Sequence, residues 1–95
     1  MFYNYDNDKK IILEATISYT VDNEHPDWQY MNEKQQNGIN KFSDDYYFDK
    51  NYYSISDKDY MIEHAKHDLL LVAGGGYDYE HVHNAKFKFK FYDYD

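Results

Sequence analysis

The chain contains no cysteine and no arginine, a single proline, a single tryptophan and four glycines. Without cysteine there is no disulfide and no thiolate metal site, which suits a reducing cytoplasm. The opening MFYNYDNDKK has no basic region followed by an apolar run, so no signal peptide is expected. No apolar stretch nears the roughly 20 residues of a membrane-spanning helix. Aliphatic residues are few, and the apolar fraction leans on aromatics. At 95 residues the expectation is one domain, spanning 1–95. So short a chain buries a small share of its surface, which favours a homodimer that adds buried area.

What is abundant is negative charge and tyrosine. Eighteen acids stand against ten lysines, for a net charge of -8. Such a surface repels nucleic acid and anionic membranes, whose ligands carry basic footprints, and speeds encounter with basic partners. The plain alternative is that acidity serves solubility. Thirteen residues are tyrosine. Asn, Lys, Ile, Tyr, Phe and Asp all have A/T-rich codons, which accounts for part of this excess. It does not account for so many tyrosines standing beside an acid.

Periodicity predicts the elements. KKIILEATISYTV alternates with period two: Ile11, Leu13, Ala15, Ile17, Tyr19 and Val21 on one face, Ile12, Glu14, Thr16, Ser18 and Thr20 on the other. From Pro26 a helix is expected, with Trp28, Met31, Gln35, Ile39 and Phe42 on one stripe and Gly38 as a stop or kink. KFSDDYYFDKNYY reads either as a short helix capped by Ser43 or as a long loop. A second helix follows, capped by Ser56 with Asp59, burying Met61, Ile62, Ala65, Leu69 and Val72 and stopped by Gly74–Gly76. Leu70 and Leu71 fall outside that stripe and invite cover by another chain. The end, NAKFKFKFYDYD, predicts a strand with Phe87, Phe89 and Phe91 on one face and Lys86, Lys88, Lys90, Tyr92 and Tyr94 on the other. The expected fold is α+β: a small sheet from the N- and C-terminal strands with two helices on one face.

Few residues suggest chemistry. His64 and His67, or His81 and His83, have spacings at which imidazoles can share a metal, but exposed histidines are the simpler reading, so no metal and no cofactor is expected. AGGGYDYE lacks the strand, helix and Lys-Ser/Thr of a phosphate loop. KFKFKF interleaves lysine with aromatics, as single-strand binders do, yet the two kinds face opposite ways, so direct nucleic-acid binding is not expected. Asp57, Asp59 and Glu63 could pair as acid and base, but little apolar material exists to raise a carboxyl pKa, so no enzyme is expected.

The acids have a geometry of their own. Positions i and i+2 on a strand stand about 6.6 Å apart, and i and i+4 on a helix about 5–6 Å, near the step between DNA phosphates. Asp57, Asp59 and Glu63, Asp78 with Glu80, and Asp93 with Asp95 have such offsets, and Asp44, Asp45 and Asp49 would add a helical pair. Tyr79 and Tyr94, flanked by acids on both sides, are candidate contact aromatics.

Through YNYDND, SDDYYFD, YDYE and FYDYD, the chain resembles phage-encoded DNA-mimic proteins of the anti-restriction type, and is similar in size and character to the Arn type from T-even phages. The resemblance implies a host-cytoplasmic homodimer without cofactor. It also implies competition with duplex DNA for a host DNA-binding protein with a basic groove, either a restriction endonuclease or a histone-like nucleoid protein. The alternative is an acidic adaptor that binds a protein through its strand edges.

Overall fold

A computed structural model describes residues 10–93, the side chain of Asp93 excepted. Strand β1 (Lys10–Val21) is the centre of a three-stranded sheet, between β2 (Asn40–Asp49) and β3 (Val82–Asp93). Both neighbours run antiparallel to it. The alternation expected of β1 is realised: Ile11, Leu13, Ala15 and Ile17 are buried, while Ile12, Glu14, Thr16 and Ser18 are only partly covered.

Residues directly opposite in a sheet share a face. Register therefore puts Phe48, Tyr46 and Phe42 of β2, and Phe91, Phe89 and Phe87 of β3, on the buried side of β1. One long helix, α2 (Lys58–Ala73), covers that side with Met61, Ala65, Leu69 and Ala73, a stripe repeating every four residues. The two alanines let the helix lie close to the sheet. Each buried Ile, Leu or Met contributes about 1.5–3 kcal/mol by leaving water. Lys58 Nζ sits 5.8 Å from the Phe91 ring centroid and Lys66 Nζ 5.5 Å from that of Phe87, so α2 runs antiparallel to β3. The architecture is α+β, as expected, with one long helix and one short one, α1 (Glu33–Asn37).

The middle of the chain departs from the sequence reading. The helix expected from Pro26 to Phe42 is a 3₁₀ turn at Trp28–Tyr30, then α1, then a strand. Asn32 breaks it by starting a new helix: its Oδ1 accepts from Gln35 N–H at 2.8 Å and Gln35 Oε1 accepts from Asn32 N–H at 2.9 Å. SDDYYFD, expected as helix or loop, belongs to β2, where Phe42, Tyr46 and Phe48 alternate toward the core and Ser43 Oγ meets Thr16 Oγ1 at 2.6 Å. The cap of α2 also lies earlier than Ser56 and Asp59: Asp57 Oδ2 accepts from Ser54 N–H at 2.8 Å and opens a 3₁₀ turn at Ile55–Asp57. Ala73, not the exposed Val72, completes the buried stripe.

The glycines end α2 as expected. Gly76 N–H donates to Leu71 O at 2.8 Å, and Gly75 and Gly76 have φ of 93° and 99°. His25, the buried polar residue among those described, ties this end to the turn after β1. Its ring bonds Ala73 O at 2.7 Å through Nε2 and accepts Asp27 N–H at 3.0 Å through Nδ1. One donor and one acceptor define a neutral ring with its proton on Nε2.

Candidate functional site

The outward side of α2 carries Asp59, Glu63 and His67 at four-residue intervals, all exposed. Asp57 precedes them in the capping turn. Beyond His67 the line passes to the loop after the glycines: the Tyr79 ring stands edge-on to His67 at 6.1 Å, flanked by the exposed Asp78 and Glu80. That loop is held down by close packing, since a Cβ on Gly74 would lie 1.8 Å from Asp78 O. Acids thus mark both ends and the middle of a helix about 24 Å long at 1.5 Å per residue. Glu63 is partly offset by Lys66 at 3.5 Å, an exposed pair worth about 0–1 kcal/mol.

Beside this line runs an aromatic column that the sequence reading missed. Tyr53 stacks on Tyr60 at 5.8 Å, Tyr60 on His64 at 6.5 Å, and the His64 ring meets Tyr46 and Phe48 edge-on at 5.9 Å each. Tyr46 Oη donates to Asp68 Oδ2 at 2.6 Å; burial first, then Asp68, pushes the Tyr46 hydroxyl well above the ordinary tyrosine range. Tyr60 at i and His64 at i+4 were the available signal. The described tyrosines Tyr19, Tyr46 and Tyr53 pack against the core, while Tyr30, Tyr47, Tyr52, Tyr60, Tyr77 and Tyr79 are exposed.

The remaining predicted acids disperse. Asp44, Asp45 and Asp49 were expected to add a helical pair; they lie in a strand, where neighbours point to opposite faces. Asp44 shares the face covered by α2, opposite Ala15. Asp45 and Asp49 share the other face, opposite Glu14 and Lys10. Asp93 ends β3 opposite Ile11, its side chain outside the described residues, as are Tyr94, Asp95 and all of YNYDND.

The face of the sheet turned away from α2 has a different character. Across the strands its rows read Tyr47–Ile12–Tyr92, Asp45–Glu14–Lys90, Ser43–Thr16–Lys88 and Lys41–Ser18–Lys86. With Lys10 it gathers half of the chain's lysines. The separation of Phe from Lys along β3 is the one expected.

His81 and His83 share one carboxylate. His81 Nδ1 lies 2.9 Å from Asp22 Oδ1 and His83 Nε2 2.6 Å from Asp22 Oδ2. The His83 hydrogen bond, above all, pulls the Asp22 carboxyl down to about 2, and Asp22 holds His81 above its ordinary range. Among the described residues no three His, Asp or Glu are placed to hold a metal ion. No described helix is long and apolar enough to cross a membrane.

The chain matches no protein-family model, no curated protein and no solved structure. Its function must therefore be argued from its surface.

Proposed function

We propose that the protein is a non-enzymatic DNA mimic. Its α2 side occupies the DNA-binding groove of a host protein, a restriction endonuclease or a histone-like nucleoid protein, and so protects phage DNA. The observation that carries this reading is the sorting of charge. Asp57, Asp59, Glu63, Asp78 and Glu80 follow α2 and its trailing loop, with exposed tyrosines alongside, while half the lysines are withdrawn to the opposite face of the sheet. Carboxylates at such intervals meet the lysines and arginines of a groove as phosphates do, and tyrosines supply rigid contact area at small entropic cost. The Asp22 carboxyl is driven down, above all by its hydrogen bond to His83, opposite to what a general acid needs.

The test is capture of a host DNA-binding protein on the immobilised chain, with and without competing duplex. Capture that duplex abolishes, and that weakens steeply with salt, is expected. Capture indifferent to both would end the reading.

A second reading keeps support from the sheet order, which leaves one edge each of β2 and β3 unpaired among the described residues. An adaptor working through those edges would bind its partner unchanged after Asp57, Asp59 and Glu63 are neutralised.

A further inference from the structure

On the face of the sheet turned away from α2, β3 presents Lys86, Lys88 and Lys90 in one row that ends on Tyr92. Successive members stand about 6.6 Å apart along the strand. Lys41 joins from β2, across Ser18 from Lys86. Lys41, Lys86 and Lys88 are exposed, and none has an ion-pair partner among the described residues. The row and its neighbours supply hydroxyls from Thr16, Ser18 and Ser43. Among the described residues, acids enter this face only further along, where Glu14 and Asp45 stand in the row of Lys90 and Asp49 stands opposite Lys10. Their repulsion would confine an anionic chain to the end of the face that holds Lys41, Lys86 and Lys88.

At the Lys86 end the row opens into a cleft of about 220 Å³ lined by Ser18, Tyr19, Thr20, Ile39, Asn84 and Lys86. Its wall includes Ile39, which is 77 % exposed and offers an apolar surface. The cleft thus pairs an apolar wall with hydroxyl and amide groups, directly beside three uncompensated cations.

We propose that this half of the open sheet face binds single-stranded nucleic acid, its phosphates on Lys41, Lys86 and Lys88 and one base in the Ile39 cleft. Lys86 and Lys88 in sequence along β3, with Lys41 across the sheet from Lys86, offer successive contacts to a polymer carrying one charge per unit, and the cleft suits a planar group with polar edges. A duplex cannot insert a base there. An acidic peptide would satisfy the lysines and leave the cleft unused. The surface is separate from the acidic α2 side, so this proposal stands or falls independently of the mimicry.

The experiment is fluorescence anisotropy of a labelled deoxythymidine decamer and its uridine counterpart with the intact chain, at low and rising salt. Binding is expected, with a log–log salt slope of about -2 for three phosphate contacts on a single strand. The variant Lys41→Gln/Lys86→Gln/Lys88→Gln should weaken it about tenfold or more and flatten the slope. Lys58→Gln/Lys66→Gln, which removes two positive charges on the α2 side, should leave it unchanged. Ile39→Asp should weaken it through the cleft. Far-UV circular dichroism checks that the variants keep their fold, which these side chains do not support. No binding by the wild type, equal loss in both lysine variants, or competition by polyglutamate or duplex DNA as effective as by unlabelled decamer would each overturn the proposal.

Discussion

Asp44 and Asp45 are neighbours in sequence and belong to different worlds. Asp44 lies on the face of the sheet that α2 covers, among the acids and stacked aromatics of the helix side. Asp45 lies on the open face, in one row with Glu14 and Lys90. One residue of strand geometry separates a surface dominated by carboxylates from one that collects lysines. A net charge of -8 describes neither side. Whole-chain charge is a poor guide to partners when a sheet sorts its side chains by parity.

The sharpest way to break this comparison is to neutralise each side in turn. Asp57→Asn/Asp59→Asn/Glu63→Gln should weaken a groove-bearing partner on the order of 100-fold, about 2.7 kcal/mol, and flatten the salt dependence of its binding. Titration calorimetry with the captured partner checks it. Asp45→Asn/Asp49→Asn, on the other face, should change that affinity less than about threefold. Equal effects from both would show that total charge, not its placement, is what the partner reads.

The same strand offers a comparison in stability. Ile17→Ala empties a fully buried site and should cost about 2–5 kcal/mol in urea unfolding. Ile12→Ala, on the open side of the same strand and half-covered, should cost less than about 1.5 kcal/mol. A comparable loss at Ile12 would mean that the open face is itself packed against something, such as a second copy of the chain.

The strands β1 and β3 were readable because their alternation is clean: β-branched residues and phenylalanines on one parity, polar residues on the other. β2 was not, because Asp44 interrupts the apolar parity between Phe42 and Tyr46, and because two adjacent acids look like a helix start. The helix predicted through Gly38 failed at Asn32, whose cap needs only a local hydrogen bond to outweigh a loose apolar stripe. Of the candidate site, the α2 acids and the YDYE loop were visible as spacing. Their convergence was not, since it depends on the Tyr79–His67 contact and on Gly74 admitting the loop. Nor was the sorting of lysines onto one face, because Lys41 reaches it through a strand that the sequence hides.

Smaller effects come from the end of the sheet where β1 meets β3, which the Asp22 clamp closes. Asp22, with its folded pKa lowered to about 2 from 3.8, contributes stability above pH 3.8 that is lost as pH falls toward 2. His81, with its folded pKa raised above 6.5, contributes stability fully present below 6.5 that is lost as pH rises through the folded value. The two windows overlap between about pH 4 and 6.5, where the clamp should be tightest. Urea midpoints from pH 4 to 9 should fall on the alkaline side for the wild type and be flatter for Asp22→Asn. An unchanged profile in that variant would assign the pH dependence elsewhere. His25 lies outside this clamp, and His25→Gln, which gives up the ring's bonds to Ala73 O and Asp27 N–H, should lower the urea midpoint at pH 8.

The finest contrast is between the two ladders of β1. Its pairing with β2 is regular, whereas its pairing with β3 shifts register between Ser18 and Thr20. The extra residue is taken up where Asn84 adopts φ of 56°, a left-handed conformation that asparagine tolerates and β-branched residues do not. Asn84 Nδ2 also donates to Thr20 Oγ1 at 3.1 Å across the bulge. Asn84→Gly keeps the backbone and loses that exposed hydrogen bond, so its stability should change by less than about 1 kcal/mol. Asn84→Val must either hold the strained conformation or slip the strand, and should cost about 1–2 kcal/mol. A slip by one residue would move Lys86, Lys88 and Lys90 to the α2 side and bring the phenylalanines out. Amide exchange across β3 distinguishes the two outcomes: faster exchange confined to the bulge marks strain, and loss of protection along the whole strand marks slippage.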